Sequence, residues 1–574
     1  MTRWVDRGSS RSALLAVAPP SILCAAWIAS SLAINPVGNF PLNDDWAFGI
    51  SAEGLVRDGR FYSNYCQAMT LIGQVLWGAL FCLPAGFSFT ALRISTVTLG
   101  LVGVLGVYGL ILQCGGRRSL AFAGALTLAV NPVYLGLSHS FMTDVPFLAA
   151  FSASMVFVVR GLRRSRRSSL MFGLGLAFLS LSIRQLGLAI FLGLGVASLF
   201  RWSRGRRWLQ VGVLPSVLAG MSLVAYSAAL KFTNQLPAQY GQKGLEVVLG
   251  DLLRLKPGAL KVPVTSAFIA MMYLGLFLFP FLILVWPSTL EQLGPRLRRR
   301  IVLGTIAVSA TLTAGLWLSG WLMPLTGNIL IDFGQGIRSL AGPEPSRVSP
   351  AFWLAVTAAA SLGATGLTLT LAAAVRSAWI ARDSPTGGPV PPWLTVLLVS
   401  VGVIYCAPIS LMYAFRFERY YLPLMGIMMA LTIALRGRFA PSPGARSWAA
   451  FGLAALAYGC FGIGSTHDLL DWNRARWTAI DELIVREGVG IESIDGGFEF
   501  NNWEPNRALR KSGGVGKLVD RSDAPYLISK GPIEGFTTYR DFECHPWLPH
   551  AITRVSILKR QAPGSTPGGV QGRR

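Results

Sequence analysis

Long apolar runs, separated by short polar or arginine-rich loops, fill the first 465 residues of the chain. A helix needs roughly 20 apolar residues to cross a bilayer, and many of the runs approach or exceed that length. They lie near 13–34, 92–113, 119–137, 145–162, 169–183, 186–200, 208–230, 264–287, 301–322, 350–375, 391–412, 420–436 and 447–465. A further run, 68–84, is interpreted as a helix lying in or dipping into the outer interface. The pattern predicts an all-α polytopic membrane protein with about thirteen transmembrane helices.

The chain changes character after residue 465. Residues 468–486 show the spacing of an amphipathic helix, and short strand-like runs follow at 491–494, 526–528 and 552–558. We expect a membrane domain over 1–465, a small C-terminal α/β extracytoplasmic domain over 466–561 and a disordered tail over 562–574. The polar and aromatic segment 495–503 is either a turn between strands or a contact for sugar or acceptor.

Composition agrees with a membrane protein, since 52% of the residues are hydrophobic and only 14% are charged. The net charge of +24 comes largely from arginines in short loops between apolar runs. Such loops normally stay in the cytoplasm, which predicts a cytoplasmic N-terminus. A basic stripe with interleaved aromatic residues is missing, so nucleic acid is not an expected partner. The first run is expected to be an uncleaved helix rather than a signal peptide.

The seven cysteines are scattered along the chain without CxxC or metal-ligand spacing. The pattern therefore indicates neither a cofactor nor a disulfide scaffold. Cys66 and Cys544 are the two that the predicted topology places outside, and a disulfide between them stays open.

Acidic residues mark two boundaries of the apolar runs. Asp44 and Asp45 follow the first run, and Asp144 stands between two later ones. Carboxylates at such boundaries are costly unless they are solvated, paired or used, so they indicate a candidate site. The alternative is that they only start helices: 44–58 can form a helix with Asn43 as its N-cap, and Asp144 precedes Pro146.

Two basic segments are candidates for binding an anion. Arg184 and Gln185 interrupt the apolar tract 169–200, either as the turn of a helical hairpin or as a planar cationic group for a phosphate. The segment 413–423 carries Arg416 and Arg419 around Glu418, followed by Tyr420. It is either an aromatic and basic belt at the interface or an anion site.

Together these segments resemble the motifs of GT-C glycosyltransferases of the protein O-mannosyltransferase and aminoarabinose transferase type. Asp44-Asp45-Trp46-Ala47-Phe48 resembles their first-loop Asp-Glu-x-x-Tyr motif, and Asp144 falls where they place a second acid. Arg184-Gln185 and Arg419-Tyr420-Tyr421-Leu422-Pro423 resemble their later Arg-Gln and Arg-Tyr-x-x-Pro signatures. Asp45 and Phe48 depart from the Glu and Tyr of the family motif.

The resemblance implies a GT-C fold and transfer of a sugar, with inversion, from a polyprenyl-phosphate-linked donor to a lipid, glycan or protein acceptor. The expected location is the outer face of the cytoplasmic membrane, among membrane lipids. Asp44 is expected to act as general base, Asp45 to orient the sugar or a neighbouring group, and Asp144 to position the acceptor or Asp44.

The remaining expectations concern the donor. Arg184 and Arg419, and then Arg416, are expected to neutralise its phosphate, and Gln185 and Tyr420 complete the expected substrate-binding set. No cofactor is required by this reading, although a divalent cation shared by the three acids stays an alternative.

A transporter or flippase of lipid-linked sugars is the alternative function, and a non-catalytic membrane component is a third. Transporters usually place ionisable residues near the bilayer midplane, often in repeated halves. Here the acids cluster at one predicted face and the sequence shows no internal repeat. The pattern therefore favours an enzyme.

Overall fold

The structure is a computed structural model that describes most of the 574 residues. The segments outside the description are 1–6, 65, 203–204, 238–249, 252, 255, 257, 292–293, 332–333, 337–339, 345–347, 382–389, 412–416, 437–440, 511–515, 550 and 562–574. The predicted disordered tail and Arg416 lie in these ranges.

The described helices, in chain order, are α1 Arg7–Ile34, α2 Asp45–Asp58, α3 Ile72–Cys82, α4 Phe89–Gln113, α5 Arg118–Ala129, α6 Pro132–Ser138, α7 Asp144–Arg164, α8 Arg167–Ile183, α9 Leu188–Trp202, α10 Arg206–Phe232, α11 Lys261–Leu290, α12 Pro295–Leu318, α13 Pro350–Ala381, α14 Pro392–Ser410, α15 Leu422–Arg436, α16 Ala445–Asp481 and α17 Phe498–Arg510. The strands are β1 Leu330–Ile331, β2 Gly334–Gln335, β3 Ile494–Asp495, β4 Tyr526–Ser529, β5 Phe536–Glu543 and β6 Arg554–Arg560.

Twelve of the thirteen predicted spans fall on one helix each, and the span 119–137 is divided between α5 and α6. Within the described part of the chain, 10 helices are long and apolar enough to cross a membrane. The number rises to 11 if α5 and α6, which are bent by 65°, form one broken span. The predicted fold class, a multi-pass helical membrane protein with a small C-terminal sheet, is confirmed. The count of thirteen stays a prediction, because α8 and α15 have only 17 and 15 residues.

The run 68–84 forms the short helix α3. Its 11 residues rise about 16 Å, roughly half the thickness of a hydrocarbon core. It packs against α2, α4 and α8, while Leu76 and Leu80 remain exposed. A helix of this length does not cross, in agreement with its interpretation as an interfacial element.

Helix α2 begins one residue later than expected. Asp44, not Asn43, is the N-cap, and the Asp44 side chain makes no capping hydrogen bond. The helix ends at Asp58, where Gly59 adopts the left-handed conformation with φ 65°. The predicted N-cap at Asn43 is therefore wrong, and capping does not explain the two carboxylates.

The last apolar helix continues far beyond the predicted membrane boundary. Helix α16 runs without a break from Ala445 to Asp481, and a π-helical turn, Glu482–Arg486, extends it. The predicted amphipathic helix of 468–486 is thus the second half of α16 and its extension. The chain passes from the apolar bundle to the C-terminal sheet along one continuous helix.

The C-terminal sheet has the strand order β3-β4-β6-β5. Strand β3 pairs with β4 in parallel, and the β4–β6 and β6–β5 pairs are antiparallel. Three strands correspond to predicted runs, whereas β5 was not predicted. The predicted turn within 495–503 is wrong, because Phe498–Arg510 form helix α17. One face of the sheet packs Ile494, Ile528 and Val555 against α16.

Helix α17 packs on α2 through a buried ionic cluster. Glu53 of α2 is fully buried and pairs with Arg507 at 2.7 Å and with Arg510 at 2.8 Å. The Trp503 ring lies 4.9 Å from the Phe89 ring.

All seven cysteines are free, so Cys66 and Cys544 are not linked.

Candidate functional site

Four separate segments meet at the N-terminal end of α2. Asp44 precedes that helix, Asp144 opens α7, and Arg184 lies between α8 and α9 in an extended conformation. Arg419 belongs to the 3-10 turn Glu418–Tyr421 that leads into α15. The fold thus brings together two of the three acidic candidates and two of the three arginine candidates of the sequence analysis.

Asp144 is the centre of this cluster. Its Oδ1 accepts a hydrogen bond from Arg184 Nη1 at 2.7 Å, and its Oδ2 lies 3.8 Å from Arg419 Nη1. The three side chains are at most 7% exposed. The two guanidinium groups pair with this buried carboxylate and compensate it for part of its lost hydration. Arg184 is therefore first of all the partner of Asp144.

Arg419 spans the two acids. Its Nη2 lies 3.9 Å from Asp44 Oδ2, and neither this contact nor the one to Asp144 is within hydrogen-bonding distance. Among the described residues, its buried Nε and Nη1 have no hydrogen-bond partner. Burial by itself lowers the pKa of Arg419. The neighbouring Asp144, Tyr420 and Asp44 together raise it by more, so the resulting pKa is higher than that of an ordinary arginine. The side chain is a permanent cation with unused donors, which suits a phosphate.

Asp44 is the more accessible of the acids, with 27% of its side chain exposed. Burial raises its pKa above the ordinary value, Arg419 opposes this, and Glu499 and Asp144 add to it. A carboxylate of raised pKa that solvent or substrate can still reach is suited to accept a proton.

Asp45 makes its hydrogen bonds to backbone groups outside this cluster. It is 1% exposed, and its Oδ2 accepts the backbone N–H groups of Phe141 at 2.9 Å and of Leu42 at 3.4 Å. Burial raises the pKa of Asp45 to about 7. Its bonds hold the start of α2 against the segment before α7.

Within the described parts of the chain, no three acidic, histidine or cysteine side chains converge to hold a metal ion.

The other expected substrate-binding residues lie nearby. Gln185 donates its Nε2 to the carbonyl of Ala68 at 3.0 Å. The ring of Tyr420 lies 5.1 Å from the Arg184 guanidinium and 5.6 Å from that of Arg419, at distances typical of cation–π contacts. Tyr420 therefore packs between the two cations. Arg416, the remaining expected ligand, lies outside the described residues.

Glu418 has a role that the sequence did not indicate. It is fully buried and accepts the backbone N–H groups of Asn328, Ile329 and Leu330. The predicted anion site with Arg416 and Arg419 around Glu418 stays a prediction, because Arg416 lies outside the described residues. Glu418 attaches the loop before β1 to the turn that carries Arg419.

Two further charged residues near Asp44 were missed. Glu499 of α17 accepts the backbone N–H of Asn43 at 3.0 Å and pairs with Arg476 of α16 at 2.8 Å. Both residues are in the segment that was assigned to a separate outer domain. The available signal was an acid between Phe498 and Phe500, which has to find a partner when it is buried.

A protein-family model matches one segment of the chain. Residues 74–231 match the family model described as dolichyl-phosphate-mannose-protein mannosyltransferase. Asp144 and Arg184 lie inside the matched segment, whereas Asp44 and Arg419 lie on either side of it. The match confirms the resemblance to GT-C glycosyltransferases that the motifs indicate. No curated protein sequence matches the chain.

Three solved structures are similar to the chain at low identity. ArnT from Cupriavidus metallidurans bound to undecaprenyl phosphate is 13% identical, with 94% of this chain and 97% of that chain covered and a TM-score of 0.37. The Archaeoglobus fulgidus oligosaccharyltransferase in the apo form is 14% identical, with 90% and 62% covered and a TM-score of 0.41. The S. cerevisiae protein O-mannosyltransferase Pmt1-Pmt2 complex bound to the sugar donor is 14% identical, with 38% and 35% covered and a TM-score of 0.31. The chain thus spans about a third of that yeast chain.

Proposed function

We propose that the protein is a membrane glycosyltransferase that moves a sugar from a polyprenyl-phosphate-linked donor to a lipid, glycan or protein acceptor. The family match supports this class, because its description names a lipid-phosphate-linked sugar. We place the enzyme in the cytoplasmic membrane, with its N-terminus in the cytoplasm and with the site and the C-terminal sheet on the outer face. The arginine-rich loops support this orientation.

In the proposed reaction, an acceptor hydroxyl attacks the anomeric carbon of the donor sugar. Asp44 takes the hydroxyl proton as the new carbon–oxygen bond forms. The bond between that carbon and the phosphate oxygen breaks on the opposite side, so the configuration inverts and the lipid phosphate leaves with the electron pair. Arg419 stabilises the negative charge that grows on the leaving phosphate.

The observation that carries this proposal is the position of Arg419 between the two acids. Its guanidinium lies 3.9 Å from Asp44 and 3.8 Å from Asp144, and its buried donors are not used by other described groups. A phosphate bound there is next to Asp44, so the base and the leaving group share one small site. Asp144 and Arg184 hold Arg419 in place, and Asp45 fixes the start of α2.

The experiment compares three purified proteins with a panel of radiolabelled polyprenyl-phosphate sugars and a detergent extract of host membranes. They are the wild type, Asp44→Asn, which keeps the shape but cannot take a proton, and Asp520→Asn, a change at an exposed aspartate of the C-terminal region. Label in new acceptors with the wild type and Asp520→Asn, but not with Asp44→Asn, is the expected result. Equal transfer by Asp44→Asn contradicts the assigned base. Translocation of the labelled carrier across vesicles without transfer supports the flippase instead.

A further inference from the structure

Glu499 links the C-terminal region to the residue that precedes the proposed base. Its Oε1 accepts the backbone N–H of Asn43 at 3.0 Å, across a separation of 456 positions. Glu499 is 3% exposed, so this bond forms largely away from water. A carboxylate that accepts a backbone N–H in such a place makes a strong, directional contact.

Arg476 fixes the orientation of Glu499. The Arg476 side chain is fully buried, and its Nη1 lies 2.8 Å from Glu499 Oε2. Its Nε also donates to the carbonyl of Gly496 at 2.8 Å, just before α17. The two oxygens of Glu499 thus have different partners, one on α16 and one in the loop before α2. This leaves Glu499 little freedom to turn.

The backbone at Asn43 gives this contact a specific effect. Asn43 has a φ of 58°, in the left-handed region that residues other than glycine seldom adopt. This conformation turns the chain so that Asp44 stands at the start of α2. A hydrogen bond to the Asn43 amide holds the turn, and a change in the turn redirects the next side chain, which is Asp44.

We propose that Glu499, oriented by Arg476, is a positioning residue that sets the place and the charge environment of Asp44, so that the C-terminal region completes the active site. This proposal rests on the proposed function, in which Asp44 is the general base. It assigns to α17 a part in the reaction, beyond any contact with the acceptor.

The charge of Glu499 predicts a signature in the pH profile. Among the charged groups, Arg419 lowers the pKa of Asp44, whereas Glu499 and Asp144 raise it. Asp45 and Cys66 are further titratable groups that interact electrostatically with Asp44. Loss of the negative charge at Glu499 therefore lowers the pKa of Asp44. Because a base has to be deprotonated to act, the acid limb of the rate profile moves to lower pH.

The test uses two variants of Glu499 and one matched control. Glu499→Gln keeps an oxygen that can accept the Asn43 amide but removes the charge, whereas Glu499→Ala removes both. The control is Glu482→Gln, since Glu482 is also a buried acid of the C-terminal region, pairs with Arg540 and Arg486, and does not contact the loop before α2. The readouts are kcat, KM for the donor and the pH dependence of kcat/KM.

We expect Glu499→Ala to lower kcat by at least about tenfold with little change in KM, because a misplaced base slows the chemical step. Glu499→Gln retains more turnover and shifts the acid limb to lower pH, and Glu482→Gln behaves like the wild type. A kcat of Glu499→Ala close to that of the wild type, or an equal loss in Glu482→Gln, contradicts the proposal. So does an acid limb that stays in place in Glu499→Gln.

Hydrogen exchange supplies a readout that does not depend on transfer. Peptides covering residues 40–48 are expected to exchange faster in Glu499→Ala than in the wild type, and at the wild-type rate in Glu482→Gln. Unchanged exchange in Glu499→Ala overturns the positioning contact even if the enzyme is active. Faster exchange together with full activity of Asp44→Asn confirms the contact but rejects Asp44 as base, so the two proposals fail separately.

Discussion

Asp45 accepts the backbone N–H of Phe141 at 2.9 Å, across 96 positions of sequence. This bond joins the loop that carries Asp44 to the segment that leads into Asp144. Gln74 of α3 donates to the carbonyl of the same Phe141 at 2.5 Å. The two acids of the proposed site are thus connected through one peptide segment, and that segment is tied to α3.

Asp45→Asn is expected to change how stability depends on pH. The carboxyl has a pKa of about 7 in the folded protein, against 3.8 for an exposed group. The carboxyl therefore contributes fully to the free energy of unfolding below about pH 4. This contribution is lost as the pH rises through 7, because the buried group then has to ionise. Relative to Asp45→Asn, the free energy of unfolding of the wild type is expected to fall by about 1.4 kcal/mol per pH unit between roughly pH 5 and 7.

Thermal unfolding of the detergent-solubilised proteins at a series of pH values measures this difference. A difference between Asp45→Asn and wild type that stays constant across the series contradicts the buried, titrating carboxyl.

Arg419→Ala is expected to lower kcat/KM for the donor by about 100-fold or more, the usual cost of removing one group that stabilises a developing negative charge. Arg419→Lys keeps the charge but not the planar pair of donors, so it restores only part of the activity. Arg486→Ala is the control, since that arginine is 71% exposed. Steady-state kinetics with each substrate varied in turn checks the result. A loss confined to the acceptor KM argues against phosphate binding by Arg419.

Breaking the Asp144–Arg184 pair from one side is expected to destabilise the fold. Arg184→Gln leaves the buried Asp144 with only the longer contact to Arg419. We expect this substitution to lower the free energy of unfolding by about 3 kcal/mol. The double variant Asp144→Asn with Arg184→Gln removes both charges, so it recovers stability but not activity. Unfolding temperatures and transfer rates of the two variants test this. A double variant that is less stable than Arg184→Gln contradicts the coupling.

Glu418→Gln is expected to loosen the loop before β1. The backbone N–H of Asn328 lies 3.0 Å from both carboxylate oxygens of Glu418. Gln keeps one of these acceptors, but its NH2 group replaces the other and faces the same N–H. Loss of a charged hydrogen bond of this kind costs about 1.5–3 kcal/mol. Faster proteolysis within 323–336 is the expected observation, with Glu344→Gln, at an exposed acid, as control. Equal cleavage of both variants rules out this role.

The sequence predicts well those features that depend on local pattern. Apolar length predicts the helices of the bundle, and the glycine at Gly59 predicts the end of α2. The polar interruption at Arg184 correctly marks the break between α8 and α9. Each of these follows from a few neighbouring residues, so no knowledge of the tertiary structure is needed.

Contacts between distant segments escape such reasoning. Glu418 is attached to backbone amides, which carry no side-chain signature in the sequence. Asparagine and proline in the segment of helix α17 favour a turn, yet the packing of Trp503 and Phe500 stabilises the helix. Strand β5 has a mostly exposed surface and therefore lacks the apolar alternation that marks a strand.

The continuous helix α16 and the buried Glu53 limit how this protein can be divided for engineering. A chimera joined at residue 465 cuts α16 near its middle and replaces both Arg507 and Arg510, two of the partners of Glu53. The donor of a new C-terminal region has to bring its own α2, or arginines at matching places. Exchange of the C-terminal region alone is therefore expected to give unfolded or inactive hybrids, whereas joint transfer of α2 and that region preserves the buried charges.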